Sequence, residues 1–232
     1  MKILVIGFQR SGTTLLRKLI QMHPDVSCII HEKRLLKQRN KKEIYNYVKN
    51  YKYCGKCNPE IDIWGEKVPF WIAKEQPMIS YCLKWIDLFD DGKIIHIIRH
   101  PIDVAISNLK KKNIPAKTLD DTIMKYGKVY PRVLKTMSKI SRMKNKQYII
   151  IFEELVSSPR ENLKNIFEFL NLNSSEDVLK KITSAKKDKL TYFDNINSER
   201  AFSYKKNDLQ MINDIHYDIP DYIKMINYKG IL

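Results

Sequence analysis

No run of about 18 apolar residues occurs in this chain of 232, so a membrane-crossing helix is not expected. Cysteine is scarce as well. Of the four, Cys28, Cys54, Cys57 and Cys82, only Cys54-Gly55-Lys56-Cys57 forms a C-x-x-C, with no second pair and no histidine close by in sequence. A structural zinc site needs more ligands than that, and no metal site is expected. A redox dithiol usually follows a strand and opens a helix, whereas this pair sits between tyrosine-rich sequence and Asn58-Pro59. The favoured reading is no thiol chemistry, with a regulatory disulfide or an adventitious metal site as alternatives. No secretory leader is expected either: the short apolar start runs into a glycine loop without a small-residue cleavage site, so the chain reads as cytoplasmic. Internal repeats and low-complexity linkers are absent. The expectation is one domain over residues 1–232, with an acceptor-side insert over 35–60 and an irregular C-terminal segment over 188–232.

Acidic residues are in short supply, 26 against 42 lysines and arginines, for a net charge of +16. That balance suits polyanionic ligands: nucleotide phosphates, an acidic glycan or peptide, nucleic acid, or peripheral contact with an anionic membrane surface. The lysines are spread along the chain, and no RNA-binding aromatic signature or helix-turn-helix pattern stands out, so no specific nucleic acid partner is expected.

What the chain does have is a dense beginning. Ile3 to Ile6 is an apolar, β-branched run of the kind that forms a strand buried on both faces. Gly7 ends it, and Gly12-Thr13-Thr14 opens a helix with Leu15, Leu16, Leu19 and Ile20 at helical spacing, closed by Pro24. Strand, glycine-bounded loop and helix bring backbone N–H groups and a helix N-terminus onto one anion. Arg10, Ser11, Thr13 and Thr14 add a cation and three hydroxyls. Gly7 and Gly12 carry the glycine spacing of a nucleotide-triphosphate loop, but Thr13 stands where its lysine would be. The cation has moved inside the loop, which points to a relative that grips a single 5′-phosphate.

Further along, Val26 to Ile30 reads as a short strand that delivers His31-Glu32-Lys33-Arg34 past its end, where chemistry lies in parallel α/β sheets. Trp64 to Phe70 reads as a compact loop, and Met78 to Phe89 as a helix. Lys93 to Ile98 is a buried strand ending at Arg99-His100-Pro101, with a helix expected from Ile102 to Lys112. A long amphipathic helix, continuous or broken at Pro131, is expected over 119–143, with a strand from Tyr148 to Phe152 and a helix from Pro159 to Leu170. The fold expected is α/β: a three-layer, mainly parallel sheet flanked by helices.

Arg99 at the strand tip and Ser107 eight residues on offer a guanidinium fork and a hydroxyl to a second, separate phosphate. In a nucleotide triphosphatase that strand would end in an acidic residue that helps hold magnesium. Here it ends in Arg-His, so the expected site receives anions without a metal.

Gly7-Phe-Gln-Arg-Ser-Gly-Thr-Thr14 resembles the 5′-phosphosulfate loop of sulfotransferases that use 3′-phosphoadenosine 5′-phosphosulfate (PAPS), and Arg99-His-Pro-x-Asp…Ser107 is similar to their 3′-phosphate motif. The late run from Tyr148 through Pro159 to Leu170 resembles the family's strand–helix unit, so the likeness spans residues 1 to about 172, in family order. The resemblance implies a P-loop-like sulfotransferase fold, and PAPS as donor with no metal. It implies that Arg10, Ser11, Gly12, Thr13 and Thr14 hold the 5′-phosphosulfate and that Arg99 and Ser107 hold the 3′-phosphate. His31 to Arg34 is similar to the Glu-x-Arg stretch of the tyrosylprotein branch and its bacterial relatives, which implies Glu32 as general base, with His31 the competing base. Gly65 to Pro69 resembles the family's Lys-x-Pro loop, which implies Lys67 as the group facing the transferred sulfuryl.

The chain departs from the family at its end. Ser198 to Lys206 stands in the place of a glycine-rich, Lys/Trp-containing capping segment without its glycines or tryptophan, leaving Arg200, Lys205 and Lys206 as candidate caps of the 3′-phosphate. The acceptor stays open between a hydroxyl of a glycan, a lipid-linked sugar, a small metabolite or a peptide tyrosine, with an amine less favoured. Two other classes also stay open: a nucleotide or small-molecule kinase of the same fold, and a non-catalytic polyanion-binding protein.

Overall fold

The computed structural model of the protein describes residues 1–37, 40–51, 62–70, 75–99 and 139–184, together with Asp103, Val104, Ser107 and Thr136. In chain order the elements are β1 (Lys2–Phe8), α1 (Thr13–Gln21), β2 (Cys28–His31), α2 (Lys41–Lys49), β3 (Trp64–Phe70), α3 (Glu75–Leu88), β4 (Gly92–Ile98) and β5 (Gln147–Ile151). Three helices follow: α4 (Phe152–Ser157), α5 (Pro159–Phe169) and α6 (Glu176–Thr183). The five strands form one sheet in the order β2-β3-β1-β4-β5, and every pairing is parallel. Helices cover both faces, as the α/β expectation required.

The near-continuous apolar runs of β1 and β4 follow from burial on two faces. Leu4, Ile6, Ile94 and Ile98 pack with Ile44 of α2 and Met78, Cys82 and Trp85 of α3. Ile3, Val5, Ile95 and Ile97 face the other way, onto Leu15, Leu16 and Leu19 of α1 and Leu163, Ile166 and Phe167 of α5. The connection from β1 runs over one face toward β2, and the connection from β3 returns over the other face to β4. The direction of winding therefore reverses at the carboxyl end of β1, the place where open α/β sheets bind ligands.

The largest departure from the sequence reading is at β3. Trp64–Phe70, expected as a compact loop, is an interior strand paired on both sides, with Val5 and His31 flanking Lys67. Gly, Glu, Lys and Pro disguise it, and each has a local reason to be there. A Cβ on Gly65 would come within 2.0 Å of the Ile3 carbonyl oxygen, so only glycine fits that approach. Lys67 turns its carbonyl toward β2 and accepts the Glu32 N–H at 2.9 Å. Pro69, two residues on, faces the same side beyond the last paired residue of β2, so its missing N–H costs no ladder bond. The α4 and α6 helices are not among the elements expected from the sequence; α6 buries Leu179 and Ile182.

Among the described residues no helix is long and apolar enough to cross a membrane. Of the helix expected over 119–143, the described end is a single 3-10 turn at Ser141–Met143. Most of the rest lies outside the described residues, as do Cys54, Cys57, the body of the helix expected over 102–112, and the segment 188–232. Cys28 and Cys82 are buried free thiols.

Candidate functional site

The loop after β1 is tied down by its own short bonds. Gln9 N–H reaches the Phe70 carbonyl at 3.0 Å, and Ser11 donates both its N–H (3.1 Å) and its hydroxyl (2.7 Å) to the Phe8 carbonyl. Arg10 adopts a left-handed backbone (φ 74°), which turns the chain between those two anchors. Gly12, the N-cap of α1, has φ 96°, and a Cβ there would lie 2.3 Å from Phe152 Cδ2. Glycine is thus required twice over at that position. No side chain caps α1 and no acidic residue sits in its first turn, which leaves the helix N-terminus suited to an anion. Ser11 and Thr13 are buried beside it.

The second motif closes on the first. Arg10 Nε donates to Ser107 Oγ at 2.9 Å, linking residues 97 apart in sequence. Arg99 directs Nη1 to the Arg10 carbonyl at 3.4 Å, lies 4.0 Å from Asp103, and stacks its guanidinium 4.3 Å from the centroid of Phe152. Phe152, buried at the junction of β5 and α4, therefore backs both Gly12 and Arg99. Two cations and a serine hydroxyl border one uncapped helix end.

The third group sits at the carboxyl ends of β2 and β3. Lys67 is buried on the α1 face of the sheet, and its ammonium donates to Glu32 Oε1 at 2.5 Å and to Thr14 Oγ1 at 3.3 Å. Burial lowers the Lys67 pKa below the ordinary lysine value, opposed by the hydrogen bond and charge of Glu32. His31 Nε2 stands 3.5 Å from the same Glu32 oxygen. Burial first, and then the Lys67 charge, lower the His31 pKa, which favours the neutral ring. Glu32 itself is 44% exposed, so its carboxylate can be approached from solvent.

Glu66, next to Lys67 on β3, points to the opposite face and is fully buried. It accepts the Leu35 N–H at 3.0 Å and the Tyr81 hydroxyl at 2.5 Å. Burial lifts its pKa from 4.5 to about 7 against those bonds.

The chain matches a sulfotransferase domain over residues 1–217. It belongs to the sulfotransferase family. No curated protein matches it. Solved structures with the same fold include the sulfotransferase domain from the curacin biosynthetic pathway (20% identity, TM-score 0.56, 79% of this chain and 78% of that one). The sulfotransferase domain of the Synechococcus PCC 7002 olefin synthase is similar over nearly the whole length (17% identity, TM-score 0.59, 99% and 96%). Mouse sulfotransferase SULT7A1 complexed with PAP is a third (15% identity, TM-score 0.56, 94% and 84%). At these identities the likeness is one of fold.

Within this sulfotransferase, residues from four separate stretches of sequence meet at one end of the sheet. Arg10, Ser11, Gly12, Thr13 and Thr14 form the loop and helix start, Arg99 and Ser107 adjoin it, and His31, Glu32 and Lys67 line its other side. Arg200, Lys205 and Lys206 lie outside the described residues. Sequence reasoning singled out neither Phe152 nor Glu66. The signal for Glu66 was its place beside Lys67, legible only once that stretch is known to be a strand that sends neighbours to opposite faces.

Proposed function

We propose that the chain transfers a sulfuryl group from PAPS to a hydroxyl, less readily an amine, of an acceptor, with Glu32 taking the hydroxyl proton. The observation that carries this reading is the Lys67 ammonium, shared between Thr14 on the loop helix and Glu32 at the end of β2. It sets a cation between the anion-holding helix end and a carboxylate that can be reached from solvent. That the mouse enzyme was solved with PAP supports the choice of donor. An uncapped helix start without acidic residues, flanked by Arg10 and Arg99, suits a nucleotide with two separate phosphates.

Each group has a role in this scheme. Arg10, Ser11, Gly12, Thr13 and Thr14 hold the 5′-phosphosulfate, and Arg99 and Ser107 hold the 3′-phosphate. Ser11 contributes by fixing the loop's shape, because both its N–H and its hydroxyl proton are engaged by the Phe8 carbonyl. The acceptor oxygen forms a bond to sulfur as the bond from sulfur to the bridging phosphate oxygen breaks, and the hydroxyl proton passes to Glu32. Lys67 and Arg10 offset the charge on the sulfuryl and bridging oxygens, so the protein contributes mainly positioning and charge stabilisation. The Lys67 ammonium, 2.5 Å away, is the cation that faces the Glu32 carboxylate. Arg200, Lys205 or Lys206 caps the 3′-phosphate. The acceptor is a glycan, lipid-linked sugar, small metabolite or peptide tyrosine.

The test is transfer of ³⁵S from labelled PAPS to a panel of these acceptors by wild type, Glu32→Gln and His31→Gln. Glu32→Gln lowers turnover by about 10²–10⁴-fold, while His31→Gln leaves most of it. The reverse pattern assigns the base to His31. Phosphoryl transfer from ATP with magnesium, in place of sulfuryl transfer, would contradict the proposal and favour the kinase.

A further inference from the structure

The segment that carries Glu32 is strained and yet held. Glu32 (φ 55°) and Arg34 (φ 51°) both adopt left-handed backbone, which two non-glycine residues keep only where surrounding contacts over-determine them. Those contacts come from β3 and α3. Glu32 N–H bonds to the Lys67 carbonyl at 2.9 Å, Leu35 N–H to Glu66, and Leu36 N–H to the Tyr81 hydroxyl at 3.3 Å. Lys84 closes the set by donating to the Leu36 carbonyl at 2.7 Å. Tyr81 also donates to Glu66 at 2.5 Å, so the carboxylate is fixed from the helix side.

We infer that Glu66 is a positioning residue for Glu32: from the buried face of β3, locked by Tyr81, it anchors the backbone that holds the Glu32 carboxylate against Lys67. Consecutive residues of one strand then do complementary work. Lys67 meets the carboxylate on the α1 face, and Glu66 fixes its segment from the α3 face. A carboxylate here is costly, because burial opposes its charge. Its yield is a pair of acceptor oxygens aimed at the one segment that must not move. The inference rests on the proposed base only for its catalytic consequence, since the anchor itself is a matter of geometry.

The test compares four full-length proteins: wild type, Glu66→Gln, Glu32→Gln and the double variant. Tyr81→Phe is a milder perturbation of the same carboxylate should Glu66→Gln fold poorly. One readout is hydrogen exchange of residues 32–37, with β1 as control. The other is trace acetylation of Lys67 by acetic anhydride, with Lys2 as control, since Lys2 is also buried and paired (2.8 Å to Asp62) at the opposite end of the sheet. Residues 32–37 exchange about tenfold faster in Glu66→Gln and Tyr81→Phe, the factor that corresponds to about 1.4 kcal/mol, while β1 is unchanged. Lys67 acetylation rises several-fold in Glu66→Gln, which releases the segment carrying the paired Glu32, and in Glu32→Gln, which removes that carboxylate, and rises no further in the double variant. Unchanged exchange and labelling in Glu66→Gln would overturn the inference. So would effects that simply add in the double variant, or a parallel rise at Lys2 and β1 that marks general loosening. Full turnover in Glu32→Gln would remove the base role and leave the anchor standing.

Discussion

The Lys67 ammonium and the Glu32 carboxylate meet at 2.5 Å although one is buried in an interior strand and the other is half exposed. A buried lysine whose charge partner is half exposed is a poor device for stability, because burial opposes its charge and a partly hydrated carboxylate returns little of that cost. The arrangement makes sense as chemistry.

Replacing Lys67 by methionine, which matches its length without charge, should therefore separate stability from activity. Lys67→Met keeps or raises the thermal midpoint and lowers sulfuryl transfer by about 10²–10³-fold. Calorimetric melting and turnover on the same preparation check both halves. A variant that melts earlier and retains turnover would show Lys67 to be structural.

Gly12 and Phe152 form a second pair open to test. Gly12→Ala must hold a Cβ 2.3 Å from Phe152 Cδ2 at φ 96°, so it destabilises by about 1–3 kcal/mol and weakens donor binding as the helix start shifts. Phe152→Ala removes the clash but also the ring behind Arg99, 4.3 Å away, and costs about 3–5 kcal/mol. Urea melts of the two single variants and the double variant check the coupling: in the double variant Gly12→Ala adds less than it does alone.

How much of this was legible in sequence follows from how local each signal is. β1, its loop and α1 could be read because apolar run, glycines and helical spacing lie within twenty-odd residues and each states its own role. The motif at Arg99 and Ser107 was legible for the same reason. The β3 strand was not, since its Gly65, Glu66, Lys67 and Pro69 answer to neighbours distant in sequence, namely the Ile3 carbonyl, the Leu35 amide, Glu32 and the end of β2. Its composition matches a loop, and only the sheet explains it. Phe152 escaped notice because an aromatic at a strand end looks like ordinary core until Gly12 and Arg99 are seen on its ring.

Glu66 predicts a pH dependence of stability. Its pKa is raised from 4.5 to about 7, so the native state holds this proton more tightly than the unfolded chain. The associated stability is present in full below about pH 4.5, fades as pH climbs, and is lost once pH passes about 7, a span worth up to about 3 kcal/mol. Urea titrations of wild type and Glu66→Gln at pH 5 and pH 8 isolate it: the wild type loses more stability between the two values than the variant does. Equal losses would mean that Glu66 titrates near its unfolded value.

The central claim is a site for one nucleotide with two separate phosphates. Thermal stabilisation by adenosine 3′,5′-bisphosphate, set beside ATP and GTP with magnesium, tests it most directly, because a ligand that binds only the native state raises its stability by mass action. Such a site gives a clear shift with the bisphosphate in the absence of magnesium, little with the triphosphates, and no shift in Arg99→Ala. A shift only with a triphosphate and magnesium, or none with any nucleotide, would contradict it.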